Sequence, residues 1–261
     1  MIGILPNLFW LSKDERAPNE WEDAGAFDMG NALFAVADGA SQAYRAREWA
    51  MRLVERYVTA PPPPNADGDL ALRWFAELAS GWQDESDGSE NTYWYQSNAE
   101  RRGSFAAFVG IRLFLSDTGF AWQSMAVGDC CLFHVRGDML ATAFPLSDPA
   151  SFGQSPDLVP SAAQSVERLR NKVRVRSGEA VPGDLVLLCS DALAKFLLEE
   201  APRGKPVWTA IRSIADNDEF AQFIRYLRSE NAIDIDDVTL LRLIVVDDGR
   251  RRSRGAGRSS R

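Results

Sequence analysis

Two apolar runs, Ala-Leu-Phe-Ala-Val-Ala-Asp at 32–38 and Asp-Leu-Val-Leu-Leu-Cys-Ser-Asp at 184–191, each end in an aspartate, and no other feature restricts the fold of this chain so strongly. Runs of this length and apolarity fit strands covered on both faces. An aspartate at the end of such a strand brings its charge into a region poor in water, which is costly unless something compensates it. Asp23 and Asp236 stand beside apolar segments in the same way. Hard divalent cations are the usual compensation for carboxylates so placed, and the pattern points to a metal-dependent enzyme.

The rest of the chain surrounds these strands. Ser41 is predicted to cap a helix running to Thr59, because Ala46, Trp49, Ala50, Leu53, Val54 and Tyr57 recur at helical spacing and four prolines at 61–64 stop it. A second helical stretch covers Asp69 to Trp82, followed by a polar loop at 83–90. From Gly103 to Thr142 the spacing changes to three or four short strands, a β-meander with turns at Asp117-Thr-Gly119 and Arg136-Gly-Asp138. Residues 144–170 read as a long loop with a short helix, and 172–176 alternates like an edge strand. Pro182-Gly-Asp184 turns the chain into the second buried run; helices near 192–199, 207–216 and 219–228 and a last buried strand at 238–246 follow. Strands with short turns, and helices in separate blocks, indicate an α+β fold with two packed sheets and helices outside.

At 261 residues and 46% hydrophobic, the chain can bury one large core. Residues 1–249 hold 23 basic against 37 acidic side chains, a net −14, which argues against a nucleic-acid-binding body. The Arg-rich tail at 249–261 has no apolar face and is expected to be disordered, leaving 1–248 as the single domain. Met1 to Leu11 is apolar but too short to span a bilayer and lacks the marks of a leader. Cys130, Cys131 and Cys189 form neither a disulfide framework nor a spaced zinc site, which fits a reducing cytoplasm. Alternation places one of Cys130 and Cys131 in the core and the other outward. There is no Gly-rich phosphate loop. The lone His134 is read as structural, and Trp74, Trp82, Trp94 and Tyr95 as packing residues.

Six segments resemble, in order, the motifs of the type 2C metal-dependent serine/threonine protein phosphatases. They are Trp21-Glu22-Asp23-Ala24, Phe34-Ala-Val-Ala-Asp38-Gly39, Gly103-Ser-Phe-Ala-Ala107, Ala126-Val-Gly-Asp129, Gly183 to Asp191, and Asp236-Asp-Val-Thr-Leu240. The resemblance spans residues 16 to 246. It implies an α-β-β-α sandwich: two packed antiparallel sheets flanked by helices on both outer faces. It implies two Mg²⁺ or Mn²⁺ ions bridged by Asp38, one completed by Asp191 and Asp236 and the other served by the Gly39 carbonyl with Glu22 or Asp23. A third, weaker ion would be held by Asp129 and Asp191. A metal-bridging hydroxide would attack the phosphorus, and Arg16 would clamp the phosphate.

The chain departs from the family at several points. Ala40-Ser41-Gln42 follows the Asp-Gly motif, so the histidine that acts as general acid in some members is absent. Ala192 stands where glycine is usual, Cys130 and Cys131 where serine and arginine are, and Arg16 lies two residues farther from Asp23 than is customary. The expected activity is hydrolysis of phosphoserine or phosphothreonine in a protein partner, by a cytoplasmic monomer that binds neither nucleic acid nor membrane. The alternative is a phosphatase-like module that binds a phosphorylated partner without turnover. A lone aspartate is commonly a cap or turn residue, and Asp129, after a glycine, fits a turn almost as well as a metal.

Overall fold

Pro6 lies in the middle of the first strand, β1 (Ile2–Leu11), and its missing N–H suits only a strand at a sheet edge. β1 indeed pairs with a single neighbour, β11 (Val238–Asp247), from Ile2↔Asp247 to Leu11↔Val238. The computed structural model describes residues 2–41, 43, 45–87, 103–153 and 156–247. β11 continues through β10 (Leu185–Cys189) and β6 (Cys131–Arg136) to β7 (Met139–Phe144), giving a five-stranded antiparallel sheet.

The second sheet runs β2 (Asp23–Asp28), β3 (Leu33–Gly39), β4 (Phe105–Leu115), β5 (Phe120–Val127) and β9 (Arg174–Ala180), with the short β8 (Val159–Pro160) on β4. The two sheets pack face to face through Phe34, Val36, Val109, Ile111, Leu132, Leu188 and Leu241. Helices α1 (Ala46–Thr59) and α2 (Gly68–Asp87) cover the outer face of the β2–β9 sheet. Helices α3 (Asp191–Glu200), α4 (Val207–Ser213) and α5 (Asn217–Ser229) cover the other. The expected α-β-β-α sandwich is what forms, and β3 and β10, covered on both faces, are its central apolar strands.

Four local expectations change. Ser41 does not cap α1: Arg45 precedes the helix in the left-handed region at φ 51°, so helical geometry cannot reach back to Ser41. The strands between 103 and 142 are two hairpins in different sheets rather than one meander. The chain crosses from β5 to β6 at Gly128-Asp129-Cys130, with Gly128 at φ +90°. Neither Gly nor Pro interrupts 82–87, and α2 continues through that part of the polar loop. Cys130 faces the inter-sheet core and Cys131 the layer beneath α3, so both are buried because helices cover the outward face. The tail at 249–261, residues 88–90, Trp94 and Tyr95 lie outside the described residues.

His134 is structural, as expected: Nε2 lies 2.7 Å from Asp184 Oδ2, and Arg136 Nη2 donates to the same oxygen at 2.8 Å. Trp49 and Trp74 pack in the layer under α1 and α2, with Trp82 against it. Buried Arg242 donates to the carbonyls of Ile211, Arg212 and Ile214 at the end of α4, satisfying acceptors that the helix leaves open. No helix among the described residues is long and apolar enough to cross a membrane.

Candidate metal centre

β2 and β3 pair so that Asp23 stands directly opposite Asp38. Two carboxylates at opposed strand positions repel, and here Asp23 is buried and Asp38 half-buried. Asp129 comes from the β5–β6 crossover, Asp191 begins α3 just past the end of β10, and Asp236 precedes β11. All of these segments lie at one end of the sandwich. Burial raises the pKa of each of the five groups, and neighbouring carboxylates raise it further. Asp38 is pushed well up by burial and then by Asp23, Asp191, Asp129 and Asp236. Asp191 is pushed up to about 7 by burial with Asp129 and Asp236. Asp23 is pushed up to about 8 by burial, with Asp237 and Asp191 adding to it.

Asp23 is 1% exposed, and neither of its carboxylate oxygens has a hydrogen-bond partner among the described residues. The Thr239 and Ser190 hydroxyls lie near enough to ease its charge, but neither reaches hydrogen-bond geometry. A buried carboxylate with no hydrogen-bond donor, among four others, is a set of hard oxygen ligands that fits a divalent cation. Among the described residues no three acidic, histidine or cysteine side chains stand as a closed chelate.

Gly39 belongs to the same end. A Cβ there would fall 2.8 Å from both the Glu22 and the Ala46 carbonyl oxygens, so glycine is what lets these backbones meet. Gly39 N–H also donates to Glu22 O at 3.2 Å. Gly39→Ala is expected to cost about 1–3 kcal/mol through this overpacking, seen as a lower denaturation midpoint at unchanged slope. An unchanged midpoint would mean that the contact relaxes freely.

Two side chains that sequence reasoning passed over complete the surroundings. Asp237, 3% exposed, accepts from the Lys13 N–H through Oδ1 and from the Glu22 N–H through Oδ2, both at 2.7 Å. Lys13 Nζ donates to Glu22 Oε2 at 2.5 Å and to Ser41 Oγ at 2.7 Å. Burial lowers the pKa of Lys13, but Glu22, Asp237 and Asp236 outweigh this and leave it raised. Arg16 sits in the exposed turn after β1, its N–H bonded to Asp14 Oδ1 at 2.9 Å, and its guanidinium makes no ion pair among the described residues. The structure thus brings Glu22, Asp23, Asp38, Gly39, Asp129, Asp191 and Asp236 to one end of the sandwich and leaves Arg16 on an open turn nearby.

This sandwich is the fold of the bacterial type 2C serine/threonine phosphatases. The catalytic domain of the serine/threonine protein phosphatase PstP, solved with two manganese ions, matches at TM-score 0.59 and 18% identity over 95% of this chain and all of that one. A Mycobacterium tuberculosis serine/threonine phosphatase PstP/Ppp structure matches at TM-score 0.62 and 16% identity, with the same coverage. The Staphylococcus aureus phosphatase Stp1 matches at TM-score 0.59 and 12% identity over 94% of this chain and 96% of its own. No family model matches the sequence, and neither does any curated protein.

Proposed function

We propose that this protein is a metal-dependent phosphomonoesterase that removes phosphate from phosphoserine or phosphothreonine in a protein partner. The observation that carries the proposal is the convergence of Asp23, Asp38, Asp129, Asp191 and Asp236 at one end of a phosphatase sandwich, with both oxygens of Asp23 buried and unpartnered. Asp38, Asp191 and Asp236, with the Gly39 carbonyl, Glu22 and Asp23, would hold two Mg²⁺ or Mn²⁺ ions, and Asp129 with Asp191 a third. When bound, such ions supply an acidified water and neutralise phosphate charge. The chain's own residues do the rest. Gly39 admits the backbone to the centre, Asp237 fixes the segments carrying Lys13 and Glu22, and Arg16 offers a guanidinium from an open turn for the substrate phosphate. No histidine follows Gly39, and water can protonate the leaving group in its place.

The reading places residues 1–248 in one catalytic domain, working as a monomer in the cytoplasm, with 249–261 as a tail. Its test is hydrolysis of an aryl phosphate and a phosphopeptide by purified protein with Mn²⁺ or with chelator. Turnover confined to the Mn²⁺ sample supports it. Metal binding without turnover on either compound favours the second reading, a module that recognises a phosphorylated partner. The Cys130, Cys131 and Ala192 departures motivate that alternative.

The acid cluster also sets a pH dependence. Asp23 and Asp191 titrate near 8 and 7 in the fold against about 3.9 unfolded, so their contribution is full below about pH 4 and is lost as pH rises through 7 to 8. Metal-free protein should therefore melt lower at pH 8 than at pH 5.5. Mn²⁺, which binds the ionised carboxylates, should raise Tm more at pH 8. Equal shifts at the two pH values would contradict this electrostatic picture.

A further inference from the structure

One cation is already fixed at the rim of the acidic end, and it is not the arginine of the open turn. Lys13 follows β1, and its backbone is held by Asp237 Oδ1. Arg228 locks the same corner, donating to Ser12 O at 3.0 Å and to Asp236 O at 2.6 Å. An ammonium group has three N–H donors. Glu22 Oε2 takes one and Ser41 Oγ another, while Asp236 Oδ1 at 4.0 Å is beyond hydrogen-bond reach of the third. Ser41, accepting from Lys13, still carries its own O–H to donate. Two donors from two chain segments, one of them charged, thus stand together beside carboxylates that themselves repel an anion.

Resting on the phosphatase reading, we propose that Lys13 and Ser41 form a preset pair that grips a non-transferred oxygen of the substrate phosphate, with Lys13 as the principal positioning residue. The Glu22 ion pair fixes the ammonium in advance, so little side-chain freedom is lost on binding.

The experiment compares wild type, Lys13→Met, Lys13→Arg, Ser41→Ala and the control Lys205→Met, whose lysine pairs with Glu200 at the other end of α3. Two quantities are read at saturating Mn²⁺: the Tm shift produced by inorganic phosphate, and KM and kcat on an aryl phosphate. Lys13→Met should lose most of the phosphate-induced shift and raise KM about 10-fold or more with a smaller change in kcat, as expected for loss of a charged hydrogen bond. Lys13→Arg should restore part of both, Ser41→Ala should show a smaller loss, and Lys205→Met none. A Lys13→Met protein that melts lower but keeps its phosphate shift and KM would reduce Lys13 to a support for Glu22 and overturn the inference. Absence of any phosphate shift in wild type would overturn it as well. If wild type hydrolyses nothing yet shows a Lys13-dependent phosphate shift, the hydrolase reading fails and the phosphate-gripping pair stands.

Discussion

Asp38→Asn is expected to lower metal-dependent hydrolysis at least about 100-fold while making the metal-free protein more stable above neutral pH. Loss of groups that merely orient metal ligands costs about 10–100-fold, and a residue proposed to touch both ions should cost more. Asparagine keeps the shape of the side chain but removes its charge. In the metal-free fold that charge is buried against Asp23, Asp191, Asp129 and Asp236, so its removal relieves repulsion. The signature is therefore two changes of opposite sign: a higher Tm in chelator at pH 8, and a much smaller Tm gain on adding Mn²⁺. A variant that kept wild-type turnover would exclude Asp38 from the metal centre. One that lost activity together with stability in chelator would point to simple misfolding.

Asp237→Ala should act in the reverse manner, on the fold first. Both oxygens of this buried side chain accept backbone N–H groups, from Lys13 and from Glu22. Truncation leaves two part-buried donors without their carboxylate, and at about 1–2 kcal/mol each a loss of about 2–4 kcal/mol is expected by chemical denaturation. Asp237→Asn can accept only one of the two and should fall between. Asp236→Ala, one residue away, removes a half-buried carboxylate that accepts only the Asp237 N–H, and should change stability little while weakening metal binding. A loss under about 1 kcal/mol for Asp237→Ala would mean that water replaces the carboxylate at both donors.

These neighbouring aspartates show how far the sequence can be read. The central strands were legible because β3 and β10 are apolar on both faces and lead into Asp38 and Asp191, a pattern that fits buried strands with a compensated carboxylate at the end. The buried face of α1 was legible from spacing alone. β1 was not, because Gly3 and Pro6 mask a strand whose edge position tolerates both. The two hairpins at 105–144 were legible one at a time, but nothing in their turns says that the chain changes sheet at Gly128. Asp237 and Lys13 escaped for a related reason. Their roles depend on contacts between residues 224 positions apart, and neither residue type announces such a contact locally. The alternating Asp236 and Asp237 could have hinted at it, since adjacent residues entering a strand must face opposite ways.

The central claim is that the acidic end of this sandwich is a divalent metal centre. Anomalous diffraction from crystals grown with Mn²⁺ tests it most directly. The account predicts strong manganese peaks among Asp38, Asp191 and Asp236, at least two in number, and their loss from crystals of Asp38→Asn. Wild-type crystals with no anomalous peak among these carboxylates at saturating Mn²⁺ would contradict it.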